Sequence, residues 1–405
     1  MQKPSFVLTA LLFVFLPLAH AQPPVRTYDL DYRVEMKPET GIAAVTISLS
    51  GERLPSRLVF KIDPERHRNF SAPIGLQTGA REITWEPQGR KAELHYEFVV
   101  SHKRSDSGYD AVMQKDWAIF RGDSLVPRVK VKARRNLRSR ATLHFVLPPQ
   151  WSAVTALGPT EKNEVEFDQP RRHFDRPTGW MLMGKLGKRS ERIAGVTTTV
   201  AAPLGNDARR QDMLAFLSWN LPRLIEVFPK FPTRVLIVSA GDPMWHGGLS
   251  GPGSLYIHTE RPLISENRTS TLLHELVHVA MGIRGAEDSD WIVEGLAEYY
   301  SLETLRRSRG ISTQRYDEAL RRLERWSRKA ASLRVKHSSG PVTAKAVLVF
   351  KAADDEIRAA TNGERSLDDV AMHLAGQREA VTLEDLQALA KKIAGRDVHA
   401  FARIQ

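Results

Sequence analysis

The chain has 405 residues, 42% of them apolar and 26% charged, with a formal net charge of +12 and no cysteine. That length exceeds one ordinary domain, and that composition excludes a disordered, fibrous or disulfide-stapled chain. Without thiols, a transition-metal site has to be built from histidine and carboxylate.

Residues 1–21 read as an export signal: Lys3, an apolar run over 6–18, then Ala19-His20-Ala21 as a small-x-small cleavage site. The run is short for a membrane span of roughly 20 residues. The mature chain is therefore expected to begin at Gln22, to have no transmembrane span, and to work in the periplasm or as a secreted protein. Residues 22–202 alternate apolar and polar positions over 28–36, 43–49, 58–62, 92–100, 142–147 and 164–167, with Pro, Gly and Asn/Asp turns between them. Short strands at that spacing predict a β-rich N-terminal domain built as a sandwich.

The pattern changes near residue 203. An amphipathic helix is predicted over 212–228 and a short apolar strand at Arg234–Ala240. A glycine-rich turn over 246–253 and a further strand, Ser254–His258, follow. From residue 268 the chain reads as helical, with breaks near 282–288, 309–312, 337–341 and 362–363. The expected organisation is α+β, with a catalytic domain over 203–310 and a C-terminal helical region over 311–405. Basic clusters at 128–140, 171–176, 185–192 and 321–336 suit solvated faces or an anionic envelope surface. No nucleic-acid-binding motif accompanies them.

His274-Glu275-Leu276-Val277-His278 is an H-E-x-x-H motif. On a helix the two histidines stand about 40° apart and roughly 6 Å along the axis, so both imidazoles reach one tetrahedral Zn²⁺. Glu275, turned about 100° from His274, can lie beside a metal-bound water as general base. Gly282 is a candidate C-cap and residues 284–289 a polar loop. A second helix starting near Asp290 returns Glu294 among Trp291, Ile292, Val293 and Leu296. A carboxylate costs too much to bury there unpaired, which makes Glu294 the third ligand and leaves the fourth position open. Glu298, one turn on, could accept the spare N–H of a ligand histidine or simply face solvent.

These segments, H-E-L-V-H and W-I-V-E-G-L-A-E-Y-Y, resemble the gluzincin metallopeptidases, whose catalytic core is thermolysin-like. The glycyl aminopeptidase family is similar in its order of a β-rich N-terminal domain, a catalytic domain and a helical end. The resemblance implies one zinc ion per chain and a peptide or protein substrate. That family carries Gly-Gly-Leu/Met-Glu-His before the zinc helix, its Glu holding a substrate amine. Here Gly247-Gly248-Leu249 leads into Ser250 and Gly251. Internal or oligopeptide cleavage is therefore expected over aminopeptidase action. Where the family has an oxyanion-steadying Tyr in Tyr-x-Lys-Gly, this chain has Thr343 in Thr343-Ala344-Lys345-Ala346. His337, Tyr299 and Tyr300 are further candidates for that donor. Gly248, Ser250, Ser254 and Tyr256 are expected to line the substrate path, an extended peptide pairing with Ser254–His258. The competing expectation is a zinc-binding but catalytically weak envelope protein that binds a peptide or protein partner.

Overall fold

The computed structural model describes residues 25–168, 172–402 and 404. The expected signal segment, 1–21, lies outside the described residues. The long strands Arg26–Lys37, Ile42–Ser50 and Lys91–Val99 alternate buried and more exposed side chains along their length, as a sheet with one face on a core requires. They belong to a six-stranded sheet in the order Glu164–Phe167, Leu137–Val146, Arg26–Lys37, Ile42–Ser50, Lys91–Val99, His67–Ser71. A four-stranded and a five-stranded sheet complete this part. One apolar cluster joins all three, with Tyr32 and Phe98 from the first sheet, Phe60 and Trp85 from the second and Phe120 from the third.

A fourth sheet carries the site. Its order is Leu186–Ile193, Val196–Pro203, Arg234–Ala240, Ser254–His258, Gly248–Gly251. The first two strands form a hairpin whose turn, Ala194-Gly195, has φ of 47° and 84°, the positive values that a tight two-residue turn needs. The helix Arg210–Val227 then lies between Val196–Pro203 and its parallel neighbour Arg234–Ala240 in the chain. The strand Ser254–His258 pairs in parallel with Arg234–Ala240 on one side and antiparallel with Gly248–Gly251 on the other. Gly248–Gly251 is therefore one edge of the sheet, and Leu186–Ile193 is the other.

Two sequence expectations change here. The hairpin 186–203 shares a sheet with the strands that follow it, so the expected boundary near 202 falls inside a sheet. One continuous apolar cluster runs from Ile193 to Phe401, so 310 does not divide two cores. The helix Asp290–Arg307 is central to that cluster, with Trp291, Ile292, Leu296, Ala297, Tyr300 and Leu305 all buried. Thirteen of its 18 residues are buried, so this interior helix cannot form a core apart from its neighbours. Among the described residues, no helix is long and apolar enough to cross a membrane.

Candidate metal centre

The H-E-x-x-H segment lies on the helix Thr271–Met281. Ser270 caps its start, accepting a hydrogen bond from the Leu273 N–H at 3.3 Å. Gly282 ends it in the left-handed region at φ 59°, its N–H donating to His278 O at 2.9 Å. Leu272, Leu273, Leu276 and Val277 are buried, while His274 and His278 are half-buried. After the loop, the helix Asp290–Arg307 packs back on the first, where Ser301 Oγ donates to Ser270 O at 3.0 Å.

This return brings three ligand atoms together. His274 Nε2 lies 3.1 Å from His278 Nε2 and 3.3 Å from Glu294 Oε2, and His278 Nε2 lies 3.4 Å from Glu294 Oε1. A tetrahedral zinc site with bonds of about 2.0–2.1 Å has ligand-to-ligand edges of roughly 3.3–3.4 Å. The triangle therefore fits a zinc ion at its apex, with a fourth position open. The two rings stand nearly edge to face, at 75°, so their lone pairs can converge.

The electrostatics agree with that donor set. Burial disfavours a charged His274, yet its hydrogen bonds to the Glu294 and Glu298 carboxylates outweigh that and raise the imidazole well above its ordinary value. Burial likewise opposes the Glu294 carboxylate, but His274 and His278 hold it well below the usual range. A cation bound by these groups would compete with their protonation. Glu298 Oε2 lies 2.9 Å from His274 Nδ1. An acceptor on Nδ1 fixes the ring's proton there and leaves Nε2 free for a metal.

Glu275 is buried at 7% exposure. It lies against the edge strand, because a β-carbon placed on Gly248 would meet Glu275 Cγ at 2.6 Å and its Oε1 at 3.0 Å. Gly248 thus makes room for the candidate base. Ser250 lies on the same free edge, and its carbonyl accepts from Arg121 Nη1 at 3.4 Å. Arg121 in turn is paired with Asp123 at 3.2 Å. Nothing in the sequence pattern pointed to Arg121, since it reaches the strand from a different sheet.

The other sequence-predicted residues separate. Ser254 is fully buried, its Oγ accepting from Trp180 N–H at 2.8 Å and donating to Pro252 O at 3.1 Å. Tyr256 is also fully buried, its hydroxyl facing Trp245 O at 3.0 Å and Ala240 O at 3.3 Å. Both sit on an inner strand with neighbours on each side, so the backbone of Ser254–His258 has no open edge for the expected pairing. Tyr299 is 1% exposed within the apolar core. One residue past Glu298, it is turned about 100° away from the face that carries Glu294 and Glu298. Tyr300 is buried as well, its hydroxyl on Asp368 at 3.1 Å. Both tyrosines are thus packed in the core. Thr343 Oγ1 lies 3.1 Å from Ser338 Oγ, and Ser338 N–H donates to Asp290 Oδ2 at 2.7 Å. That chain of contacts places Thr343 beside the first turn of the helix bearing Glu294. His337 is exposed on the preceding loop.

No family model and no curated protein matches the sequence. Solved structures do share the fold. An aminopeptidase N family protein from Idiomarina loihiensis aligns over 85% of this chain and 69% of its own, with a TM-score of 0.64 at 15% identity. An M1 zinc metallopeptidase from Deinococcus radiodurans aligns over 94% of this chain and 92% of its own, with a TM-score of 0.59 at 17% identity. Legionella pneumophila aminopeptidase A, solved with aspartic acid, gives a TM-score of 0.56 at 13% identity, and this chain, matched over 95% of its length, spans about half of it (50%). The chain thus has the fold found in these M1 zinc peptidases and aminopeptidases, with His274, His278 and Glu294 converging in it.

Proposed function

We propose that this protein is a zinc-dependent metallopeptidase. The observation that carries the reading is the three-ligand triangle at zinc spacing, with an acidic side chain held beside it against an open sheet edge. Zinc, when bound by His274, His278 and Glu294, supplies a Lewis acid for the substrate carbonyl and lowers the pKa of coordinated water to about 7. Glu275 accepts the attacking water's proton on its carboxylate and delivers it to the leaving amine nitrogen. Glu298 holds His274 in the ligating tautomer. The free edge Gly248–Gly251 takes the peptide as an added strand, aligning its backbone with Glu275.

The mode of cleavage follows the fold in the first instance. Two of the neighbouring structures are aminopeptidases by name, which favours removal of N-terminal residues over the internal cleavage expected from the sequence. Ser250 favours the second reading, internal or oligopeptide cleavage, because it offers no carboxylate to a substrate amine. A third reading, a zinc protein that binds a partner and turns over poorly, draws on the burial of Tyr299 and Tyr300 away from the site. Action outside the cytoplasm is part of the proposal, supported by the leader-like residues 1–21.

Residues 22–405 and the Glu275→Gln variant, both loaded with zinc, are incubated with peptides bearing free and blocked N-termini and analysed by mass spectrometry. Loss of single N-terminal residues by the native protein alone establishes aminopeptidase action, and internal cuts establish the second reading. Equal inactivity of both proteins, with zinc bound, refutes the peptidase proposal.

A further inference from the structure

A second group of metal-ligating side chains lies outside the triad, at the head of the edge strand. Asp242, His246 and His258 each present one ligand atom, and those atoms lie within 4.8 Å of one another. Asp242 Oδ1 is 2.8 Å from His246 Nε2 and 3.8 Å from His258 Nε2. Glu260 Oε2 lies 3.4 Å from His246 Nδ1. The two rings are stacked, with centroids 4.0 Å apart.

His258 is the informative member. It is 1% exposed, and its buried Nε2 has no hydrogen-bond partner. A buried polar nitrogen without a partner is costly, and this one lies 3.8 Å from the Asp242 carboxylate. The loop that presents them is firmly held. Gly241 N–H donates to Asn206 Oδ1 at 2.9 Å, Tyr109 N–H to Pro243 O at 3.1 Å, Trp245 N–H to Tyr109 O at 2.9 Å and the Tyr256 hydroxyl to Trp245 O at 3.0 Å. The backbone on either side of Asp242 and His246 is therefore fixed, while His246 itself is exposed and can turn.

We propose that Asp242, His246 and His258 form a second divalent-cation site, sharing no residue with the triad. Two imidazoles and one carboxylate suit Zn²⁺, Cu²⁺, Ni²⁺ or Co²⁺ rather than the all-oxygen cations. Glu260 supplies the acceptor that holds the His246 Nδ1 proton, leaving Nε2 to the metal. Two features make this site weaker than the first. The Glu260 N–H approaches His258 Nδ1 at 3.3 Å, so ligation through Nε2 moves the ring's proton to Nδ1 and breaks that long contact. The stacked His246 ring must also rotate, whereas the triad's rings already stand at 75°.

The test uses the full mature chain without a polyhistidine tag, stripped of metal and dialysed against graded Co²⁺. Cobalt content and visible absorption are both recorded. The expected result is one tight equivalent and a second, weaker one. His246→Ala, a change at an exposed ring, removes only the weak equivalent, and Asp242→Asn weakens it at least tenfold. Glu294→Gln removes the tight equivalent and leaves the weak one, so the outcome is independent of peptidase activity. A native protein that stops at one equivalent, a His246→Ala variant that keeps two, or a Glu294→Gln variant that loses both would each overturn the proposal.

Discussion

Replacing Gly248 with alanine tests how the edge strand positions the candidate base. Gly248 is not among the glycines with positive φ, so alanine suits its backbone and the fold itself is not strained. The added β-carbon would stand 2.6 Å from Glu275 Cγ, 2.8 Å from Thr271 Cγ2 and 3.0 Å from Glu275 Oε1. Carbon atoms in ordinary contact are about 3.5–4.0 Å apart, so the Glu275 side chain or the strand must give way by about 1 Å. A misplacement of that size at a reacting group costs about 10²-fold in rate, or roughly 2.7 kcal/mol of barrier. Neither residue is a ligand, so zinc content should stay at one equivalent in the triad. The assay compares kcat, KM and zinc content for native, Gly248→Ala and Ser250→Ala proteins on a peptide that the native enzyme cuts. Position 250 already carries a β-carbon, so Ser250→Ala controls for changes along the strand. A Gly248→Ala enzyme within about threefold of the native kcat would refute the packing argument, and so would zinc lost along with activity.

Glu298→Gln should weaken zinc binding about 10–100-fold while leaving the fold intact, because it removes the charged acceptor 2.9 Å from His274 Nδ1; competition with a chromophoric chelator measures it. Gly295→Ala should lower the unfolding midpoint, since its β-carbon would meet Ala346 Cβ at 2.5 Å and Phe350 Cε2 at 2.8 Å. The overpacking costs about 1–3 kcal/mol against roughly 1 kcal/mol of gained helix propensity, and denaturant unfolding reads the difference. Glu303 is 3% exposed and takes hydrogen bonds from Arg306 at 2.7 Å, Arg307 at 3.1 Å and Tyr316 at 2.5 Å. Burial would raise its carboxyl, but Arg306 and Tyr316 outweigh that and hold it below the usual range. A depressed carboxylate stabilises the fold above its unfolded value of about 4.3, and that stability is lost as pH falls through the folded value. Glu303→Gln should therefore cost on the order of 3 kcal/mol at pH 7, and the gap from native should shrink on acidification; an equal gap at pH 7 and in strong acid would contradict this.

The candidate ligands were legible in the sequence because helical spacing is local. His274 and His278 are one turn apart, and a buried glutamate amid Trp291, Ile292 and Leu296 needs a cation or a donor wherever its helix packs. The same periodicity, followed one residue further, would have turned Tyr299 away from the metal. What the sequence could not show was the order of strands. Period-two alternation says that a strand has a buried face, not which neighbours it has, so Ser254 and Tyr256 read as a substrate edge although they lie on an inner strand. At Gly248 the sequence suggests a substrate path, and the structure adds that a helix from later in the chain packs Glu275 where a β-carbon would stand. Asp242, His246 and His258 likewise meet only because Ser254–His258 pairs in parallel with Arg234–Ala240, laying His258 opposite Ala240. Local spacing determined that His274 and His278 share one face of a helix. Long-range pairing, which depends on the whole sheet being formed, decided which backbone they face.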